Sequence, residues 1–134
     1  MKVVLSIAGS DSSGGAGIQA DLKTFEAFDI FGTTAITVLT AQNTTGVTSI
    51  NKLEPEFVVS QVKAVFDDFD VAAIKIGMLF SNEIIDAIRE FIKDLSIPIV
   101  FDPVFNIFLY HFKINPTNLQ VYKQYSHCKI IFIQ

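Results

Sequence analysis

The chain has 134 residues, half of them hydrophobic and 18% charged, with a formal net charge of −4. Those values suit one globular domain and exclude a disordered segment or a basic nucleic-acid-binding surface. The single cysteine, Cys128, excludes an intramolecular disulfide framework and fits a reducing compartment. The opening apolar run, Val3 to Ala8, is too short for a signal-peptide core. No stretch approaches the roughly 18 apolar residues of a membrane span. The expectation is a soluble cytoplasmic protein with no nucleic-acid or membrane partner.

In chain order, Val3–Ala8 ends at Gly9 and reads as a buried parallel strand. Gly14-Gly15-Ala16-Gly17 follows, then a helix with Ile18, Leu22 and Phe25 on one face. Thr34–Leu39 is β-branched and reads as a second strand. A loop then leads to Pro55, suited to a first helical position, with Glu56 in the first turn. Val58, Val62, Val65, Phe66 and Phe69 mark that helix's apolar face. Val71–Ile76 is a third strand. Ser81 is a candidate N-cap for a helix with the stripe Ile84, Ile88, Phe91, Ile92 and Leu95. Ile97–Phe101 is a fourth strand, ended by Asp102-Pro103. Such alternation predicts an α/β fold, a largely parallel sheet flanked by helices. Ligands of such sheets bind beyond the carboxyl ends of the strands. That rule selects Gly9–Gly17, Thr40–Gly46, Gly77–Leu79 and Asp102–Phe105.

Composition changes after residue 105. All fourteen acidic residues and all seven glycines precede it, and the last 29 residues hold no Asp, Glu, Gly or Ala. That tail holds all three tyrosines, both histidines and the cysteine. Its crowded Asn, Ile, Phe, Tyr and Lys have codons rich in A and T. A change of reading frame near Phe105, or another truncation, is the preferred explanation; a genuine divergent segment is the alternative. The division expected is therefore 1–105 and a tail, 106–134.

The glycines of the first loop let backbone amides approach a ligand, and a helix amino terminus favours anions. The alternative is a tight strand-to-helix connection with no ligand. The loop is not a Walker A sequence, since no Gly-Lys-Ser/Thr closes it. Gly15-Ala16-Gly17-Ile18-Gln19-Ala20 fits a dinucleotide pattern weakly, because no acid follows the second strand. Gln42, just past that strand, offers an amide donor and acceptor that match an aminopyrimidine edge. Its alternative is to satisfy loop backbone. Asp21 lies one turn beyond Gly17; it either faces the strand ends, accepting from a ligand, or is solvated. Lys75 lies inside an apolar strand, where a cation needs a partner, and Asp102 is the candidate. His111, His127 and Cys128 have no zinc-like spacing, so no metal site is expected there.

Taken together, five segments resemble the hydroxymethylpyrimidine/phosphomethylpyrimidine kinases of thiamine biosynthesis, within the ribokinase superfamily. They are Ala8–Thr24, Leu39–Thr44, Pro55–Val58, Lys75–Leu79 and Asp102–Val104. Together they run in family order over residues 1–105, about four-fifths of the chain. Ser12 stands where the family usually has proline, and Phe105 where methionine is usual. The resemblance implies a ribokinase-like fold. It implies ATP- and Mg²⁺-dependent phosphorylation of 4-amino-5-hydroxymethyl-2-methylpyrimidine and then of its monophosphate. It implies substrate contacts at Gly9, Asp21, Gln42, Met78 and Val104, with Gln42 reading the aminopyrimidine edge. Met78 and Val104 would touch the ring, and Asp21 would hold polar groups. Family members commonly form homodimers.

Family members are about twice this length, and their carboxyl-terminal half supplies the anion hole, the catalytic aspartate and most of the nucleotide site. Phosphoryl transfer needs a base and charge compensation, and the tail holds no carboxylate. No catalytic residue is therefore assigned. The expectation is an incomplete kinase domain, inactive alone. The alternatives are a non-catalytic pyrimidine-binding half-domain and a nonfunctional truncated product. Lys129–Ile133 is a candidate strand to cover the open sheet edge.

Overall fold

The computed structural model describes residues 1–102 and the backbone of 130–132. The strands are β1 (Lys2–Asp11), β2 (Ile30–Asn43), β3 (Gly46–Lys52), β4 (Val71–Ile76), β5 (Ile99–Phe101) and β6 (Ile130–Phe132). The helices are α1 (Gly17–Ala27), α2 (Pro55–Asp68) and α3 (Asn82–Ile92). One sheet holds all six strands in the order β3-β2-β1-β4-β5-β6. Every neighbouring pair is parallel except β2 with β3. The expected α/β architecture, a ribokinase-like parallel sheet with covering helices, is what the chain adopts.

The main core lies between the sheet and α2 with α3. Leu5, Ile7, Ile74 and Ile76 of the central strands meet Val58 and Val62 of α2 and Ile84, Ile88 and Ile92 of α3 there. These helical residues recur at three- and four-residue spacing, so each helix buries one stripe. Ser81 caps α3 as expected, its side chain accepting from the Ile84 N–H at 3.3 Å. Pro55 opens α2, and Glu56 stands in its first turn. The opposite sheet face carries α1, where Leu22 and Phe25 pack so closely on Gly32 that a Cβ there would lie 2.6 and 2.9 Å from them.

Three expectations change. The second strand is longer than Thr34–Leu39, so Gln42 lies within it and not just past it. The loop after the second strand is a hairpin: Asn43 Oδ1 accepts from the Thr45 N–H and hydroxyl, and β3 returns antiparallel along β2. All seven β3 residues are exposed, so burial leaves no alternating pattern in their sequence. Ladder pairing, not a hydrophobic face, forms this strand. The fourth strand is shorter than expected because Pro98 lies outside it, contributing only its carbonyl, which accepts from Ile74 N–H at 3.0 Å. Within the expected Lys129–Ile133 strand, Ile130–Phe132 pairs in parallel with β5.

Beyond the end of β3, a side chain continues the edge pairing of β2. Gln61 of α2 accepts from Ile36 N–H through Oε1 and donates to Ile36 C=O through Nε2, both at 2.9 Å. Among the described residues no helix is long and apolar enough to cross a membrane.

Candidate pyrimidine site at the carboxyl end of the sheet

The strand ends selected from sequence do converge. β1 and β2 stay in register to Asp11 opposite Thr40, with a shift between Ala8 and Ser10. Gly9 sits at that shift. A Cβ on it would lie 2.8 Å from Met78 Cε and 3.0 Å from Val38 Cγ1. Gly9 and Met78 are therefore in direct apposition, and the missing side chain is what admits the Met78 thioether. The buried Thr37 hydroxyl donates to the Met78 carbonyl at 2.7 Å and fixes the backbone just past β4. Phe80 follows at φ 70°, an uncommon conformation for a bulky residue.

Gln42 stands near the end of β2, half-buried. Its Oε1 lies 3.1 Å from the Thr40 hydroxyl, whose single proton is shared with the nearer Ser10 carbonyl at 2.8 Å. Ser12 Oγ donates to the Gln42 carbonyl at 2.6 Å and accepts from the Gln42 N–H at 2.8 Å. Among the described residues no acceptor takes Gln42 Nε2. The amide donor, and one lone pair of Oε1, are thus available at the strand ends.

Asp21 sits deeper. Ser6 and Lys75 are opposite each other on β1 and β4, hence on one sheet face. Asp21 of α1 lies over them, and its Oδ2 accepts from Ser6 Oγ at 2.6 Å and Lys75 Nζ at 2.9 Å. The expected Lys75–Asp102 pair is therefore corrected: strand register aims Lys75 at the α1 face. Asp21 is not a solvated helix carboxylate either; its side chain is 15% exposed.

The glycine-rich loop also differs from the anion cradle considered for it. Asp11, 4% exposed, accepts from the Ser13 hydroxyl and N–H at 2.8 Å each. It also accepts from the N–H groups of Gly15 and Ala16 at 3.1 and 2.9 Å. The amides before α1 are consumed within the chain. The Ser13 hydroxyl, more than burial opposes it, holds the Asp11 carboxyl below the ordinary carboxylate value, with the backbone amides adding to the effect. Gln19 closes the loop, accepting from Asp11 N–H at 2.9 Å and donating to Ser10 Oγ at 2.7 Å. Gly17 has φ +57°, and a Cβ there would lie 2.2 Å from the Gly9 carbonyl oxygen. The loop is an internally satisfied connection, which removes the dinucleotide reading.

A family model described as phosphomethylpyrimidine kinase matches residues 11–126. The chain belongs to the phosphomethylpyrimidine kinase family. It is 53% identical over 102 residues to the hydroxymethylpyrimidine/phosphomethylpyrimidine kinase of Rhizobium meliloti, covering 76% of this chain and 38% of that one. The crystal structure of phosphomethylpyrimidine kinase from Clostridium difficile superposes with a TM-score of 0.73 at 50% identity, over 76% of this chain and 45% of that one. Staphylococcus aureus pyridoxal kinase in complex with AMP-PCP and pyridoxal gives 0.74 at 34% identity, over 94% and 45%. The chain thus spans about two-fifths of the Rhizobium relative's length.

Of the expected contact residues of this phosphomethylpyrimidine kinase family member, Gly9 and Met78 are brought together, and Gln42 is held at the same sheet end. Asp21 lies below, in an ion pair. Val104 falls outside the described residues, as do His111, His127 and Cys128. Sequence reasoning did not single out Asp11, Thr40 or Thr37. For Asp11 the signal was present, since an aspartate before Ser-Ser-Gly-Gly favours an Asx turn. Among the described residues no group of three or more His, Cys, Asp or Glu side chains is placed to hold a metal ion. In the glycine-rich loop the N–H groups of Ser13, Gly14, Gly15 and Ala16 already have partners within the chain.

Proposed function

We propose that residues 1–105 are the pyrimidine-recognising part of an ATP-dependent kinase acting on 4-amino-5-hydroxymethyl-2-methylpyrimidine and its monophosphate in thiamine biosynthesis. The 134-residue chain alone binds the pyrimidine and does not phosphorylate it. The carrying observation is Gln42: its Nε2 has no acceptor among the described residues, while Thr40 holds Oε1. Nε2 donates to a ring nitrogen, and the remaining Oε1 lone pair accepts from the exocyclic amine. Met78, seated on Gly9, supplies apolar contact to the ring, and Val104 adds to it. Asp21 accepts from the substrate's polar groups through its second oxygen. ATP and Mg²⁺ are held by residues other than those described. The protein works in the cytoplasm, where Cys128 stays reduced, and pairs as a homodimer. Residues 106–134 are a divergent tail that arose by a change of reading frame or another truncation, although the family match runs on to residue 126.

Calorimetric titration of the purified chain with hydroxymethylpyrimidine tests this, with Gln42→Ala and pyridoxal as comparisons. Saturable binding that Gln42→Ala abolishes is expected. Equal binding by both proteins, or preference for pyridoxal, overturns the assignment. Transfer of phosphate from ATP to the pyrimidine by this chain overturns its second half.

A further inference from the structure

We propose that Ser12 is a positioning residue that sets the orientation of the Gln42 amide. The inference rests on the pyrimidine reading of Gln42 and deepens it. The β1–β2 ladder ends with Asp11 opposite Thr40, yet β2 continues to Asn43. Past that point the main-chain groups of Gln42 have no β1 residue to pair with. The Ser12 hydroxyl replaces one: a single oxygen accepts from Gln42 N–H at 2.8 Å and donates to Gln42 C=O at 2.6 Å. A hydroxyl suits this place because it is donor and acceptor at once.

The other side of Gln42 offers weaker support. The β2–β3 register shifts between Ala41 and Gln42, and shifts of this kind disrupt the ladder locally. Gln42 therefore stands at the shift itself, paired with Val47 of β3 on one side and past the end of the β1 ladder on the other. Its side chain lies against Thr40, whose single hydroxyl proton is shared between the Ser10 carbonyl at 2.8 Å and Oε1 at 3.1 Å, a contact that a small shift of the Gln42 backbone would break. That geometry requires the Gln42 backbone to stay where Ser12 puts it. The clasp also joins the two loops that flank the site, the one after β1 and the one after β2.

Proline, the residue that the family resemblance leads one to expect at this position, has no hydroxyl and makes no such clasp. Proline stiffens the first loop through its ring; Ser12 instead ties the loop to the residue that reads the ligand. Ser12 is exposed, so its removal leaves no cavity and the variants keep the fold.

The test compares the full 134-residue chain with Ser12→Ala, Ser12→Thr and Ser12→Pro. Amide hydrogen exchange at Gln42 is expected to accelerate about fivefold or more in Ser12→Ala and Ser12→Pro, the loss of one hydrogen bond. Ser12→Thr, which keeps the hydroxyl, restores protection. In NMR spectra the Gln42 side-chain NH₂ pair is expected to move toward averaged positions in Ser12→Ala and return in Ser12→Thr. Ile36 N–H exchange stays unchanged throughout and reports an intact fold. Hydroxymethylpyrimidine binding is expected to weaken about threefold to tenfold in Ser12→Ala, again with rescue by Thr. Unchanged Gln42 exchange in Ser12→Ala overturns the clasp. Faster exchange with unmoved side-chain resonances overturns the positioning role. If the wild-type chain binds no pyrimidine, the functional reading fails, and the two ligand-free measurements still decide the role of Ser12.

Discussion

Lys75 Nζ lies 2.9 Å from Asp21 Oδ2, joining β4 to α1 through an ion pair whose side chains are only 20% and 15% exposed. Ser6 donates to the same oxygen. Removing one member of such a pair strands the other in a poorly solvated place. Lys75→Met is expected to destabilise the chain by about 1.5–3 kcal/mol, the range for hydrogen bonds to charged groups. Urea denaturation of Lys75→Met, Asp21→Asn and the double variant checks it. Losses that simply add would show that the two side chains do not interact.

Asp11 gives a pH dependence with a definite sign. Its folded-state carboxyl is held below the ordinary value of 3.8, chiefly by the Ser13 hydroxyl. A depressed carboxyl stabilises the fold at pH above its unfolded value, and that contribution is lost as pH falls through the folded value. Asp11→Asn keeps one acceptor oxygen and loses the charge. The stability gap between wild type and Asp11→Asn should be flat from neutral pH to about 5, then close under more acidic conditions. A gap independent of pH would show that the charge contributes nothing.

Gln61 makes two hydrogen bonds to the main chain of Ile36. Its replacement by Ala leaves a half-buried N–H and C=O without partners. A loss of about 1–3 kcal/mol is expected. Gln61→Glu, which can accept from the N–H but, when ionised, cannot donate to the carbonyl, should fall between wild type and Gln61→Ala. Thermal unfolding of the three proteins measures this.

The two glycines of the first loop should respond differently to alanine. At Gly17 the new Cβ meets a backbone oxygen at 2.2 Å with φ at +57°. A loss of at least about 2 kcal/mol is expected from backbone strain and clash together. At Gly9 the nearest atom is the end of the flexible Met78 side chain. Gly9→Ala should fold with a smaller loss while displacing Met78, weakening pyrimidine binding about tenfold, or ~1.4 kcal/mol. Parallel unfolding and calorimetric measurements separate the two effects.

Elements that bury an apolar face could be read from the sequence. The α2 and α3 stripes and the β-branched runs of β1 and β4 carry burial as periodicity. The strand-end rule selected the loops that carry Gly9, Gln42 and Met78, and the family resemblance singled out those residues within them. β3 was hidden because its residues face solvent on both sides. Lys75, inside an apolar strand, was assigned Asp102 as the carboxylate at the end of another strand. What decides its partner is that Ser6 stands opposite it in the ladder, and pairing register is not visible along one chain. Asp11 was obscured by the glycines beside it, which drew attention to open amides. Ser12 appeared only as a departure from the family's proline, since its partner lies thirty residues away.

The aspartate inside the first loop also decides what this end of the sheet welcomes. A phosphate approaching Gly14 to Gly17 would have to displace a resident carboxylate that is tethered in place and cannot diffuse away. Its effective local concentration exceeds that of any metabolite, and its charge repels the newcomer. The amides that lead into α1 are therefore already occupied. A flat, uncharged heterocycle meets no such competition there, and the negative groups of a reaction must be received at some other surface.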